Sequence, residues 1–258
     1  MKVFITGASG RLGSRIIPHL ISRGHTVAGL VRSTEKAKKI EALGATALIG
    51  TTADQGLLRK GANENDAVIH CAMDHKDADL GSQMKGEREA LDFFADVLEG
   101  SGKVLISANG TVAVQPGSDE HSQSAPIGPR AETEKAVLAN AGFIPYVEGL
   151  NWSACNADDA ALLFVLALET AEPGTIVHAV QEFPQLKAIA QVLGEKTKMD
   201  TKAITKEQAK DFGFFGILLQ AHQDFSTSWT KKTFGWQPKG QLLLDEMKHA
   251  DASFFKAV

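Results

Sequence analysis

Apolar runs and amphipathic stretches alternate through the first half of the chain, with glycine at many of the junctions. Residues 2–6, Lys-Val-Phe-Ile-Thr, form a β-prone run that stops at Gly7. Residues 11–23 put Ile16, Ile17, Leu20 and Ile21 on one face at helical spacing, and Gly24 ends the stretch. Pro18 inside that helix predicts a lost hydrogen bond to Ser14 and a kink. Next come a strand over 26–31, a lysine-rich helix over 34–43 and a strand over 45–49. Asp54 caps a short helix through Leu57 and Leu58; beyond it lie a strand over 67–71, a helix over 80–98 and a strand over 103–107. Such alternation with short connections predicts an α/β fold built on a parallel, doubly wound sheet.

Past residue 107 the pattern loosens. Residues 113–128 read as a long polar loop, suited to covering an active site, and 130–140 as a helix. Residues 143–151 must serve as a sixth strand, or that strand is missing. A buried helix is expected over 158–170, a strand over 174–180 and a helix over 184–196 with Pro184 at its start. Thr205 and Gln208 make a capping box; helices over 226–236 and 242–255 close the chain. The organisation expected is a nucleotide-binding domain over 1–142 and a small, mostly helical substrate region over 143–258, partly interleaved with it.

The turn between the first strand and helix carries the most specific chemistry. Gly7, Gly10 and Gly13 stand at three-residue steps, with Ser9, Arg11 and Leu12 among them. Gly7 permits a tight turn, Gly10 lets the backbone approach a phosphate, and Gly13 lets the helix pack on the strand. The unpaired amides of the first helical turn, aided by the helix dipole, then form an anion site suited to a dinucleotide diphosphate.

Composition narrows the class without adding to it. The chain has 258 residues, 43% hydrophobic and 22% charged, with a net charge of −4 and no basic stripe, which argues against a nucleic-acid partner. No apolar run approaches a membrane span, and no secretory signal is visible. Cys71 and Cys155 have neither metal-ligand nor disulfide spacing and read as small buried apolar residues, so no metal is expected. A cytoplasmic protein acting on a small-molecule substrate is the expectation.

These segments together resemble the atypical and extended short-chain dehydrogenase/reductases, the NAD-dependent epimerase/dehydratase group, whose fold is of the Rossmann type. The matching stretches are Thr6-Gly-Ala-Ser-Gly-Arg-Leu-Gly13, Leu30-Val-Arg-Ser33, Asp66-Ala-Val-Ile-His-Cys-Ala72, Leu105-Ile-Ser-Ala-Asn-Gly-Thr111, Pro129-Arg130 with Glu134, residues 152–161, and Phe234-Gly-Trp-Gln-Pro238. The resemblance implies that Thr51, Thr52 and Asp54 lie near an adenine, and Cys71, Ala72 and Met73 along the ribose and diphosphate. Position 51, often acidic in the family, is a threonine here. The helices over 80–98 and 130–140 are the faces a homodimer would use.

Cofactor choice reads from the end of the second strand. NAD enzymes place an acid there to hold the ribose 2′-hydroxyl. Here Arg32 and Ser33 stand there, with Lys36 close behind, a set suited to a 2′-phosphate. NADP is therefore expected in preference to NAD. The family's Tyr-x-x-x-Lys pair is absent, because Tyr146 is the sole tyrosine and Leu150 stands four residues later. Aligning Arg130 with the family's lysine puts Pro126 at the tyrosine, and proline donates no proton. The candidates for the reacting site are Ser107, Asn109, Thr111 and Arg130, with His75 and Tyr146 behind them. His70 reads as a hydrogen-bonded core residue. Phe212, Phe214, Phe215, Phe225 and Trp229 are candidates for an apolar pocket, at least half of them expected to be plain core. The leading reading is an NADP-dependent oxidoreductase on a small carbonyl or hydroxyl metabolite. The alternatives are a silent dinucleotide-binding regulator and a non-redox isomerase or lyase.

Overall fold

In the computed structural model, described over residues 1–73, 80–108, 110, 116–122 and 143–251, strand β1 (Lys2–Thr6) is the middle of a five-stranded parallel sheet. Its neighbours are β2 (Thr26–Val31) on one side and β4 (Ala67–His70) on the other. Strands β3 (Thr46–Ile49) and β5 (Val104–Ser107) complete the order β3-β2-β1-β4-β5. Val3, Phe4 and Ile5 are completely buried, as a central parallel strand covered on both faces requires. This is the Rossmann-type doubly wound sheet that the alternation predicts.

The chain divides into two compact units. The first comprises the described residues of Met1–Lys76, Ser82–Asn109 and Ala157–Thr175. Helix α1 (Gly13–Ser22) lays Ile16, Ile17 and Leu20 into its core, and α5 (Ala157–Thr170), arriving from far along the chain, adds Ala161, Val165 and Leu168. On the sheet's other face, α3 (Gln55–Glu64) and α4 (Leu80–Leu98) cover Phe4; Phe94 meets the Phe4 ring edge-on at 6.3 Å. The exposed side of α4 carries the charge pairs Lys85–Glu89 and Arg88–Asp92. Helix α1 runs on through Pro18, which faces solvent, so the Ser14 carbonyl lacks its helical donor without the element ending.

The second unit comprises the described residues of Asp77–Gly81, Gly110–Asn156 and Ile176–Val258. Strand β6 (Phe143–Val147) does exist, but it pairs in parallel with β7 (Asp200–Ile204) and does not extend the five-stranded sheet. Helix α6 (Leu186–Thr197) connects the two, and Leu186, Ile189, Tyr146, Ile204 and Leu219 share one core. Strand β7 has no counterpart among the elements expected from the sequence. The strand expected over 174–180 is irregular instead, because its polar groups are committed elsewhere: the His178 amide donates to Thr230 Oγ1 at 3.1 Å, and the Val180 amide to the His178 carbonyl at 2.9 Å. The capping box at Thr205 and Gln208 is formed on both sides and opens α7 (Lys206–Ala209), which α8 (Gly213–Gln220) follows. Helices α9 (Ser228–Phe234) and α10 (Leu243–His249) are shorter than expected, and residues 252–255 lie outside the described residues, as does the helix over 130–140.

Candidate functional site

The carboxyl ends of β1 and β4 lie side by side where the strand order reverses, the position at which open α/β sheets bind ligands. The glycine turn starts there. Gly7 has φ +68°, and a Cβ on it would lie 2.6 Å from the Cys71 carbonyl oxygen and 2.8 Å from the Ala72 nitrogen. A Cβ on Gly13 would collide with the Gly7 carbonyl, and one on Gly10 would lie 3.0 Å from the same oxygen. The turn closes with Gly10 N–H donating to the Gly7 carbonyl at 2.9 Å. Gly7 and Gly13 are thus required by backbone approach, as their spacing predicts, whereas a Cβ on Gly10 would make only a tight contact.

Helix α1 leaves this turn with an open start. Ser14 N–H donates to the Gly10 carbonyl at 3.1 Å, and Arg15 and Ile16 both donate to the Leu12 carbonyl. The Leu12 and Gly13 amides have no backbone acceptor. Leu12, at the N-cap position, supplies no side-chain cap, and the first turn holds no acid. The next two helices are closed differently: Ser33 accepts from the Lys36 amide at 3.3 Å to cap α2 (Thr34–Glu41), and Asp54 accepts from the Leu57 amide at 3.1 Å to cap α3. Arg15 Nη1 also donates to the Arg11 carbonyl at 2.7 Å, a contact that the spacing of the two arginines does not by itself disclose.

The other candidates fall along the same sheet edge. Arg32 is exposed directly after β2, and the Ser33 hydroxyl, having accepted from Lys36, keeps its own proton to donate. Thr51 and Thr52 follow β3 after Gly50; the Thr51 hydroxyl accepts from the Ala53 amide at 3.3 Å, while Asp54 is occupied by its cap. Ser9, Ala72 and Met73 are half-buried. Cys71, likewise half-buried, has its thiol pushed up to about 12 by burial, which leaves it un-ionised and inert at neutral pH. Ser107 ends β5 opposite His70 and its side chain is exposed.

His70 is the core histidine the sequence implies. Only 1% exposed, it shares a 2.7 Å bond between Nδ1 and Thr6 Oγ1, and burial pulls its pKa down to about 4, so the ring is neutral at pH 7. Its Nε2 has no partner. Asn109, Thr111 and Arg130, together with His75, Pro126 and Glu134, lie outside the described residues. Tyr146 lies in the core of the second unit, 9% exposed, with Lys187 Nζ 5.9 Å from its ring centroid. Phe212 and Phe215 pack on that same core, Phe225 is buried against His178, and Trp229 meets His121 and Phe234 edge-on; the Phe214 side chain is not described.

The second unit also holds a buried carboxylate that the sequence does not announce. Glu120, 3% exposed, accepts from the Thr230 amide at 3.1 Å and from its hydroxyl at 2.5 Å, tying the described part of the polar loop to the start of α9. Nothing local in the sequence marks a lone Glu among polar neighbours as an anchor.

Residues 7–135 match the profile of a family described as NAD(P)H-binding. An uncharacterised protein of Saccharomyces cerevisiae, YLL056C, is 33% identical over 297 residues, covering 96% of this chain and 98% of its own. A 4-hydroxy-2-methyl-3-oxo-4-farnesyl-3,4-dihydroquinoline-1-oxide ketoreductase of Stigmatella aurantiaca is 42% identical over 72 residues, 28% of this chain and 22% of its own. Among solved structures, the Bordetella bronchiseptica enzyme WbmG, in complex with NAD and UDP, superposes with a TM-score of 0.68 at 17% identity, over 99% of this chain and 93% of its own. Among the described residues, no helix is long and apolar enough to cross a membrane.

Proposed function

This chain belongs to the NAD(P)H-binding family, and from that premise and its resemblance to the atypical and extended short-chain dehydrogenase/reductases we propose that it is an NADP-dependent oxidoreductase acting on a small carbonyl or hydroxyl metabolite. The observation that carries the reading is the glycine turn with its open helix start. No side chain fits at Gly7 or Gly13, two amide donors lack backbone acceptors, and the first helical turn holds no acid to repel an anion. A diphosphate fits those donors.

Arg32 supports the choice of NADP. It stands exposed after β2 where an acid would hold a ribose hydroxyl, and its guanidinium offers paired N–H donors to a 2′-phosphate. The Ser33 hydroxyl adds a donor beside it. Thr51 and Thr52 would flank the adenine, and the backbone of Cys71, Ala72 and Met73 would run beside the ribose and diphosphate. The bound nicotinamide supplies the hydride. Ser107, exposed at the end of β5, donates from Oγ to the Ala108 carbonyl at 3.4 Å and would turn that proton to a substrate oxygen; Asn109, Thr111 and Arg130 remain the further candidates from the resemblance. The short similarity to a ketoreductase supports a carbonyl substrate.

One observation favours the second reading, a dinucleotide-binding regulator without turnover. The single tyrosine is packed in the core of the second unit, so no tyrosine serves as proton donor beside a lysine. Calorimetric titration with NADPH and NADH, then NADPH oxidation over a panel of aldehydes and ketones, separates the two. Tighter binding of NADPH with oxidation in the presence of one carbonyl is the expected result. Binding with no oxidation would favour the regulator, and no binding of either dinucleotide would overturn both.

A further inference from the structure

Arg15 is a charged group beside the turn to which the proposed function gives no role. Its guanidinium reaches back one helical turn and donates from Nη1 to the Arg11 carbonyl oxygen at 2.7 Å. The Arg11 carbonyl and the Leu12 N–H belong to one peptide plane, and the chain contains no cis peptide among its described residues. In a trans peptide those two groups point in opposite directions. Fixing the carbonyl therefore aims the amide, and this is the same Leu12 amide that has no backbone acceptor. A charge-assisted bond holds it firmly against a peptide flip.

Electrostatics gives Arg15 a second role. A cation near a helix N-terminus opposes the helix dipole, and the first turn of α1 offers no acid to offset it. Among the described residues no carboxylate pairs with Arg15. The arrangement disfavours the empty turn and favours one that holds an anion.

We infer that Arg15 is a positioning residue for the diphosphate: it locks the peptide between Arg11 and Leu12 so that the Leu12 N–H faces the phosphate oxygens, and it adds positive potential there. This rests on the reading of the turn as the dinucleotide site. The test titrates wild type, Arg15→Ala and Arg15→Lys with NADPH, NADH and 2′-AMP, a probe that lacks the diphosphate, and records thermal midpoints without ligand. Arg15→Ala is expected to weaken both dinucleotides by the same factor, about tenfold, with 2′-AMP binding unchanged and the thermal midpoint equal to or above wild type. Arg15→Lys, which keeps the charge but not the planar fork, should recover only part of the loss. The inference is overturned if Arg15→Ala binds both dinucleotides like wild type, if it weakens 2′-AMP by the same factor, or if Arg15→Lys recovers fully. Should wild type itself bind neither dinucleotide, the failure lies in the function proposed for the turn, and the role of Arg15 goes with it.

Discussion

The two ends of the five-stranded sheet treat polar groups in opposite ways. At the amino end they are matched. The Lys2 amide donates to Asp66 at 2.7 Å, Lys103 Nζ donates to the carbonyls of Ala62 and Asn63, and Arg23 holds Glu169 through two bonds of 2.8 and 2.5 Å while His25 Nε2 lies 3.0 Å from the same carboxylate. At the carboxyl end, the Leu12 and Gly13 amides lack backbone acceptors, Arg32 and Ser107 are exposed, and His70 Nε2 is buried without a partner. Side chains at the amino end hold the first unit together; at the carboxyl end the proposed dinucleotide site would draw on the amides of the turn. The contrast arises from the fold, since parallel strands gather helix N-termini at their carboxyl ends.

The largest effect expected from breaking this contrast is on binding. Gly10→Asp places a side chain and a negative charge where phosphate should lie, with its Cβ 3.0 Å from the Gly7 carbonyl oxygen. Affinity for both dinucleotides should fall about 100-fold or more, measured by titration, while urea unfolding shows a loss below about 1 kcal/mol. If the variant unfolds but binding per folded molecule persists, the carboxyl end is structural after all.

Acid should then distinguish the two ends by window. His70 titrates at about 4 when folded against 6.5 as a model group, so the folded state resists its protonation. Its contribution is complete above pH 6.5 and drains away as pH falls toward 4, by up to about 3 kcal/mol. Glu169 is held near 2, against 4.5, first by its bond from Arg23. Its contribution is complete above pH 4.5 and is lost as pH falls toward 2. Proton linkage caps that contribution at about 3 kcal/mol, and with the carboxylate 22% and Arg23 40% exposed, solvent screening reduces it to about 1–2 kcal/mol. Urea midpoints against pH should lose the upper window in His70→Asn and the lower one in Glu169→Gln. Glu169→Gln should also leave NADPH affinity unchanged; a joint loss of stability and affinity would dissolve the contrast between the ends.

The parts of this molecule that are legible in sequence are those whose cause is local. The strand over Lys2–Thr6, the glycines of the turn and the caps at Asp54 and Thr205 each need only a few neighbouring residues. Strand β7 is not legible, since Asp200 to Ala203 are exposed and only Ile204 is buried; pairing with β6 makes it a strand. Residues 174–180 have the composition of a strand, yet His178 is tied to Thr230 and Ser226 by contacts remote in sequence. At the site, the spacing of Arg11 and Arg15 is visible in the sequence, but the bond from side chain to carbonyl is not. Ser33 shows the converse: a hydroxyl whose position suits a ligand also caps a helix.

The smallest effect concerns cofactor choice. Arg32 is exposed, so its bond to a 2′-phosphate competes with water and salt, and the net gain is limited to about 1 kcal/mol. Arg32→Ala should therefore raise the Kd for NADPH about fivefold and leave NADH unchanged, with the difference shrinking as salt rises. Because the Ser33 cap and the glycine turn are untouched, thermal stability should match wild type. Equal weakening of both dinucleotides would mean that Arg32 acts on the diphosphate or on the fold, and the preference for NADP would lose its physical basis.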